Sequence, residues 1–242
     1  MASSPNWRSP NAARLSMDEE AKAVEEIAKT TGKAIDAARD AGGFIAKFIA
    51  GPLEQGMGIF EDRLRYTRWE RQHRLMLRAE EFLRRSGLSS PTRAVPLKLA
   101  LPLIQGASLE DDDMLQDRWA ALLVNAGNAD FPFEIRRAYA SILEQLTSLD
   151  VAVMDAIYAL PFAECQHDGV LTALLPSTAS MAPKGQNEVL EPSSHVLISL
   201  ADLTRVGCIR PSSTWGGGES FSRVLPTVSA RAFVDACHTP GP

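Results

Sequence analysis

The stretch "CIRPSSTWGGGESFSRVLPTV", Cys208 to Val228, decides the fold class. Pro211, the triplet Gly216–Gly218 and Pro226 rule out a continuous helix across it. Short apolar runs on either side of the glycines predict strand, glycine turn, strand. Immediately before it, "SSHVLISLADLTRVG" has helical periodicity with Gly207 as the stop. Immediately after it, "SARAFVDAC" closes with a small helix. Further upstream, "SLDVAVMDAIYAL" reads as a helix with Ser148 at its N-cap. "GVLTALLPSTASMAPKGQNEVL" then holds a short apolar element and a loop rich in Pro, Ser, Gly and Asn. Helices, a two-stranded wing and a last helix follow the winged-helix order. The expected class is therefore mainly α, with an N-terminal helical domain and a winged-helix-like α+β C-terminal domain.

Charge limits what such a domain can bind. From Ser148 to Pro242 there are five lysines and arginines against nine acids. A DNA reader takes much of its affinity from phosphate contacts, so nucleic acid is a disfavoured partner of this half. The whole chain agrees, with a net charge of -5 and a pI near 5.5.

Before Ser148 the sequence reads as helices joined by short loops. "EDRLRYTRWERQHRLMLRAEEFLRRSG" predicts a helix ended by Gly87. Between residues 61 and 93 there are nine arginines against five acids. Arg65, Arg68, Arg71, Arg74 and Arg78 are the candidate nucleic-acid residues, and a solvated face with i,i+4 pairs such as Glu81–Arg85 is the plainer alternative. Pro96 suits the start of the next helix and Pro102 its bend or end. Ser108, with Asp111 three residues on, has the look of a capping box. Asp113 and Asp117 lie one turn apart, but capping explains this acidic run better than a metal site does. Pro132 is expected to open a further helix with Ile135, Ala138, Tyr139, Ile142 and Leu146 inward.

The most unusual stretch is "AGGFIAKFIAGPLEQGMGIF", Ala41 to Phe60. Charges at every seventh residue from Glu19 to Arg68 form a polar stripe that includes Lys47 and Glu54. The opposite side carries Ile45, Ile49, Leu53 and Phe60. Charge-free runs fall short of the roughly 18–20 residues of a spanning helix. Two readings stand: packing on a core or partner helix, and an interfacial helix at a bilayer. Phe44, Ile45, Phe48, Ile49, Leu53 and Phe60 are the candidate contact residues for either. The mixed-sign polar face suits the bilayer less well than a basic one would.

No catalytic constellation stands out. His73, His167, His195 and His238 lack metal-binding or catalytic spacing. Cys165, Cys208 and Cys237 are odd in number and without CxxC spacing, which fits free thiols in a reducing cytoplasm. The glycines of "WGGGES" lack the lysine and following helix of a phosphate loop. The expectation is a non-enzymatic protein with no catalytic, cofactor-binding or metal residues and no evident small-molecule substrate. A protein partner or homo-oligomer is expected, in the cytoplasm, with peripheral attachment to the inner membrane as an option.

Three blocks carry a resemblance. They are "EIAKTTGKAIDAARDAGGFIAKFIAGPLEQGMGIFEDRLRYTRWERQHRLMLRAEEFL", "PLKLALPLIQGASLEDDDMLQDRWAALLVNAGN" and "FEIRRAYASILEQLTSLDVAVMDAIY". They resemble the bacterial abortive-infection alpha proteins, a family linked to phage exclusion and without a defined mechanism. The likeness runs from about Glu19 to Tyr158, and more loosely through "SLADLTRVGCI" and "ARAFVDAC". It implies a role in antiviral defence and carries over no active residues. The expected division is a disordered tail at 1–17, a helical domain at 18–147 and a winged-helix-like domain at 148–242.

Overall fold

"DDDMLQDRWAALLVNAG" changes from charged to apolar at Trp119, and the fold is arranged around that change. The structure is a computed structural model that describes residues 43–48, 69–183, 190–213 and 216–238. A helical segment at 43–48 comes first. Then follow α1 (Trp69–Arg85), α2 (Leu97–Leu109), α3 (Asp113–Gly127), α4 (Arg137–Leu143), α5 (Ser148–Tyr158) and α6 (Phe162–Asp168). The chain ends with β1 (Val170–Leu171), β2 (Ser180–Met181), α7 (Ser194–Arg205), β3 (Ile209–Ser213), β4 (Glu219–Pro226) and α8 (Val228–Ala236). The described residues are thus mostly helical, with one small antiparallel sheet. No described helix is long and apolar enough to cross a membrane. The expected tail at 1–17 lies outside the described residues.

Helix α3 is the hub. Eleven of its fifteen residues are buried, so it presents core on nearly every side. It packs on α1, α2, α4, α5 and α8. Contacts group Ile45–Pro242 as one unit. Trp119, Leu122 and Leu123 form the centre of the core with Leu103 and Ile104 of α2. The indole of Trp119 lies where a Cβ on Gly106 would stand, 2.3 Å from Cη2. α2 and α3 therefore approach at a spacing that only glycine permits there.

Several local expectations are corrected. Ser108 does not cap α3; it lies inside α2, where its hydroxyl donates to the Ile104 carbonyl at 2.6 Å. Asp112 is the N-cap, accepting from the Leu115 amide at 3.0 Å. Ser148 does not cap α5, because its hydroxyl donates instead to Asp112 at 2.6 Å. Thr147 takes the cap in a complete capping box with Asp150. Pro102 does not end the helix; α2 runs through it to Leu109, with Leu103, Ile104 and Ala107 buried. Pro132 does not open α4, which starts at Arg137 after an extended Arg136. Ile135 reaches the core from that extended segment, leaving Ala138 exposed and Tyr139, Ala140 and Leu143 buried.

The glycine stops hold. Gly87 and Gly207 take φ +73° and +77°. Each continues into a backbone bond reaching five residues back, Leu88 N–H to Leu83 and Cys208 N–H to Leu203, both 2.8 Å. The predicted hairpin is β3–β4, and β4 also pairs with β1, giving the strand order β2-β1-β4-β3. Tyr158 fastens this sheet to α5. Its buried hydroxyl donates to the Cys208 carbonyl at 2.6 Å and accepts from the Thr227 amide at 2.9 Å, so both ends of the hairpin meet one side chain.

Candidate functional site

Segment 43–48 is the part of the glycine-rich stretch that the structure describes. Phe44, Ile45 and Phe48 are buried while Gly43 and Lys47 are exposed. Lys47 Nζ lies 4.0 Å from Glu80 of α1. Phe48 is wholly excluded from solvent. Its carbonyl accepts from the Val95 amide at 2.6 Å. Its ring lies over Gly127, where a Cβ would stand 3.1 Å from both the ring and Pro91. A side chain at 127 would crowd the ring and Pro91, which would have to give by a few tenths of an ångström. Ile49, Leu53 and Phe60 lie outside the described residues.

The seat for Phe48 is held in place by hydrogen bonds at the C-terminus of α3. The last carbonyls of a helix lack partners in their own ladder. Here the amides of Thr92 and Arg93 both donate to the Gly127 carbonyl at 2.9 Å. The Arg93 guanidinium donates to Ala126 O at 3.1 Å and Asn125 O at 3.3 Å, adding a cation at the negative end of the helix dipole. The Ala129 amide donates to Thr92 Oγ1 at 2.8 Å. Loop 91–95 and the end of α3 therefore form one hydrogen-bonded shelf on which Phe48 rests.

The arginine face of α1 is engaged within the protein. Arg71 donates to the Leu109 carbonyl at 2.5 Å and to Asp111 at 3.3 Å. Arg74 lies 3.6 Å from Asp113. Arg78 donates to Asp113 at 2.7 Å and to Asp117 at 2.6 Å. Partial burial disfavours the Arg78 charge, but the two carboxylates outweigh that and raise its pKa. Asp113 and Asp117, one turn apart, are thus a fork for an arginine. The complementary spacing in α1 and α3 was visible in the sequence, but their adjacency was not. Arg65 and Arg68 lie outside the described residues.

A third cluster leaves no signal in the sequence because its members are far apart in the chain. Asn125, fully buried, donates from Nδ2 to the carbonyls of Ala236 at 2.9 Å and His238 at 2.8 Å. Arg118 pairs with Asp155 and donates to His238 Nε2. Arginine can only donate, so Nε2 accepts and Nδ1–H faces the Val234 carbonyl at 2.7 Å. The end of α8 is thereby latched to α3 and α5. The neighbouring Cys237 is free and buried, and burial pushes its thiol well above the ordinary range. Cys208 is pushed up to about 12 for the same reason. At neutral pH these sulfurs are protonated packing groups rather than nucleophiles.

The model of one protein family, described as abortive infection alpha, matches residues 70–237. The chain belongs to the abortive infection alpha family. The matched span starts inside α1 and ends with Cys237, so it takes in the α3 hub, the Phe48 shelf, the sheet and the latch. Segment 43–48 precedes it. No curated protein and no solved structure matches the chain. Membership ties the protein to abortive infection, the phage-defence role for which the family is named.

Proposed function

We propose that this member of the abortive infection alpha family acts without a reaction of its own, through a segment that leaves a packed position to engage a bilayer or a protein partner. The observation that carries this reading is the Phe48 seat. A small helical segment, rich in phenylalanine and flanked by glycines, rests on the shelf with the deeply buried Phe48 ring and the Phe48–Val95 backbone bond among its contacts. The bonds that join Thr92 and Arg93 to the end of α3 do not involve the segment, while the Val95 amide is satisfied by the Phe48 carbonyl. Undocking would expose an apolar face of the kind that binds membranes or hydrophobic grooves.

The C-terminal elements support a winged-helix reading. Helix α7 precedes the β3–β4 hairpin, and β1 closes the sheet beside β4. The exposed side of α7 offers Leu197 and Ile198 rather than a row of cations, which favours protein contact over DNA. The arginines of α1 give nucleic acid no further support, because Arg71, Arg74 and Arg78 each face an acid of the same chain.

The test is a phage challenge of bacteria expressing the wild type or the Phe44→Asp/Phe48→Asp variant, with folding of the variant checked by circular dichroism. Loss of protection with helical content kept is the expected result. Full protection by the double variant would sink the proposal.

A further inference from the structure

The described arginines from Arg71 to Arg118 are all held by acids or carbonyls. Arg71, Arg74, Arg78, Arg84, Arg85 and Arg118 face carboxylates, and Arg93 caps α3. The next two arginines break the pattern. Arg136 and Arg137 are exposed and, like Lys98, make no ion pair or side-chain hydrogen bond with any described residue. These three cations converge with Arg93 on one cavity of about 420 Å³ between the start of α2, the end of α3 and the segment leading into α4. Glu134 is the acid on its lining, so four bases face one carboxylate. Leu99, Pro96 and buried Ile135 supply an apolar wall.

A chain with net charge -5 has acids enough to neutralise such a cluster. Here Glu134 is the one acid among the described residues that line the cavity, and like charges are left side by side. That arrangement raises the local potential and concentrates anions. A volume of this size suits a small molecule rather than a macromolecular chain. Arginine forks grip two oxygens of a tetrahedral phosphate or a carboxylate and so favour an oxyanion over a halide, and several cations around one cavity favour the higher charge of phosphate. The apolar wall adds a surface for a flat organic body.

We propose that this cavity binds a phosphate-bearing small molecule of nucleotide size, its phosphates held by Arg136, Arg137 and Lys98 and its body against Leu99 and Ile135. Arg93 contributes charge while remaining committed to the carbonyls of α3. The cavity shares Arg93 and Ala126 with the shelf under Phe48, whereas Lys98, Arg136 and Arg137 lie outside that shelf, and binding is measured whether or not segment 43–48 undocks.

The experiment is isothermal titration of the full chain with ATP and, separately, with inorganic pyrophosphate at physiological ionic strength. Saturable one-site binding of ATP is expected, with pyrophosphate weaker by about tenfold for want of the apolar wall. Arg136→Glu/Arg137→Glu should weaken ATP by at least tenfold. The milder Lys98→Gln should weaken it severalfold in a chain whose melting temperature is unchanged. Arg205→Glu, outside the cavity, should leave it as it was. No saturable binding of either probe overturns the proposal. So does ATP binding that both cavity variants leave intact.

Discussion

The two ends of α3 solve the same problem by different chemistry. At its N-terminal end, Asp113 and Asp117 meet arginines of α1 near solvent. At its C-terminal end, Asn125 and Gly127 lie buried among carbonyls, an aromatic ring and a returning loop. The charged end sets which helix lies beside α3 and at what register, because each arginine fork reaches a particular carboxylate. The neutral end fixes the parts that arrive from elsewhere in the chain: segment 43–48, loop 91–95 and the terminus of α8. Ion pairs with exposed partners contribute little net stability, since water already solvates both groups. Buried rings and amides contribute more, because losing them leaves a cavity or an unpaired carbonyl. The neutral end should therefore dominate both stability and docking.

Phe48→Ala breaks that contrast at its strongest point. Removing a fully buried ring costs about 3–5 kcal/mol. The loss should appear mainly as release of segment 43–48, read as faster amide exchange there with the α3 core still protected. Asn125→Ala comes next. It strips the Ala236 and His238 carbonyls of their donor, at about 2–3 kcal/mol, read by urea denaturation. Proteolysis should then find the end of α8 first.

Arg78→Ala tests the charged end. Its partners Asp113 and Asp117 are mostly exposed, so the cost should be about 1 kcal/mol or less and should shrink in high salt. A loss larger than that of Asn125→Ala would reverse the comparison. The smallest effect concerns acid. Ser148 donates to Asp112 and the Leu115 amide joins it, so the Asp112 pKa is lowered. A depressed carboxylate stabilises the fold above its unfolded value of about 3.9, and that contribution is lost as pH falls through the folded value. Ser148→Ala should therefore lower stability at pH 7 slightly and flatten its decline in acid, as followed by melts across pH 2–6.

At alkaline pH the sheet gives the opposite sign. Burial raises Tyr158 to about 12. A raised hydroxyl stabilises the fold below its unfolded value near 10 and loses that contribution as pH climbs toward 12. Tyr158→Phe should remove this tyrosine's part of the alkaline loss while costing about 1–3 kcal/mol at neutral pH through the orphaned Cys208 carbonyl and Thr227 amide.

The sequence made the local features legible. Glycine stops at Gly87 and Gly207 and the hairpin around Gly216–Gly218 follow from spacing and backbone freedom. Caps were harder, because Ser108, Asp112, Thr147 and Ser148 are all chemically able to serve. The choice between them depends on a tertiary bond, Ser148 to Asp112, that no local pattern contains. The arginine–aspartate forks and the Asn125 latch were hidden for the same reason. Their halves lie 35 to 113 residues apart, and only folding reveals that they meet. The cations at 98, 136 and 137, which pair with no acid among the described residues, are defined by a property of the fold alone.

The most direct test of the docking account is hydrogen–deuterium exchange of the wild-type chain, comparing peptides that contain 43–48 with those from α3 as urea rises from zero. The account predicts that 43–48 opens at a free energy well below global unfolding and independently of α3. Exchange of both only through the same global transition would make the segment an inseparable part of the core and contradict a docking switch.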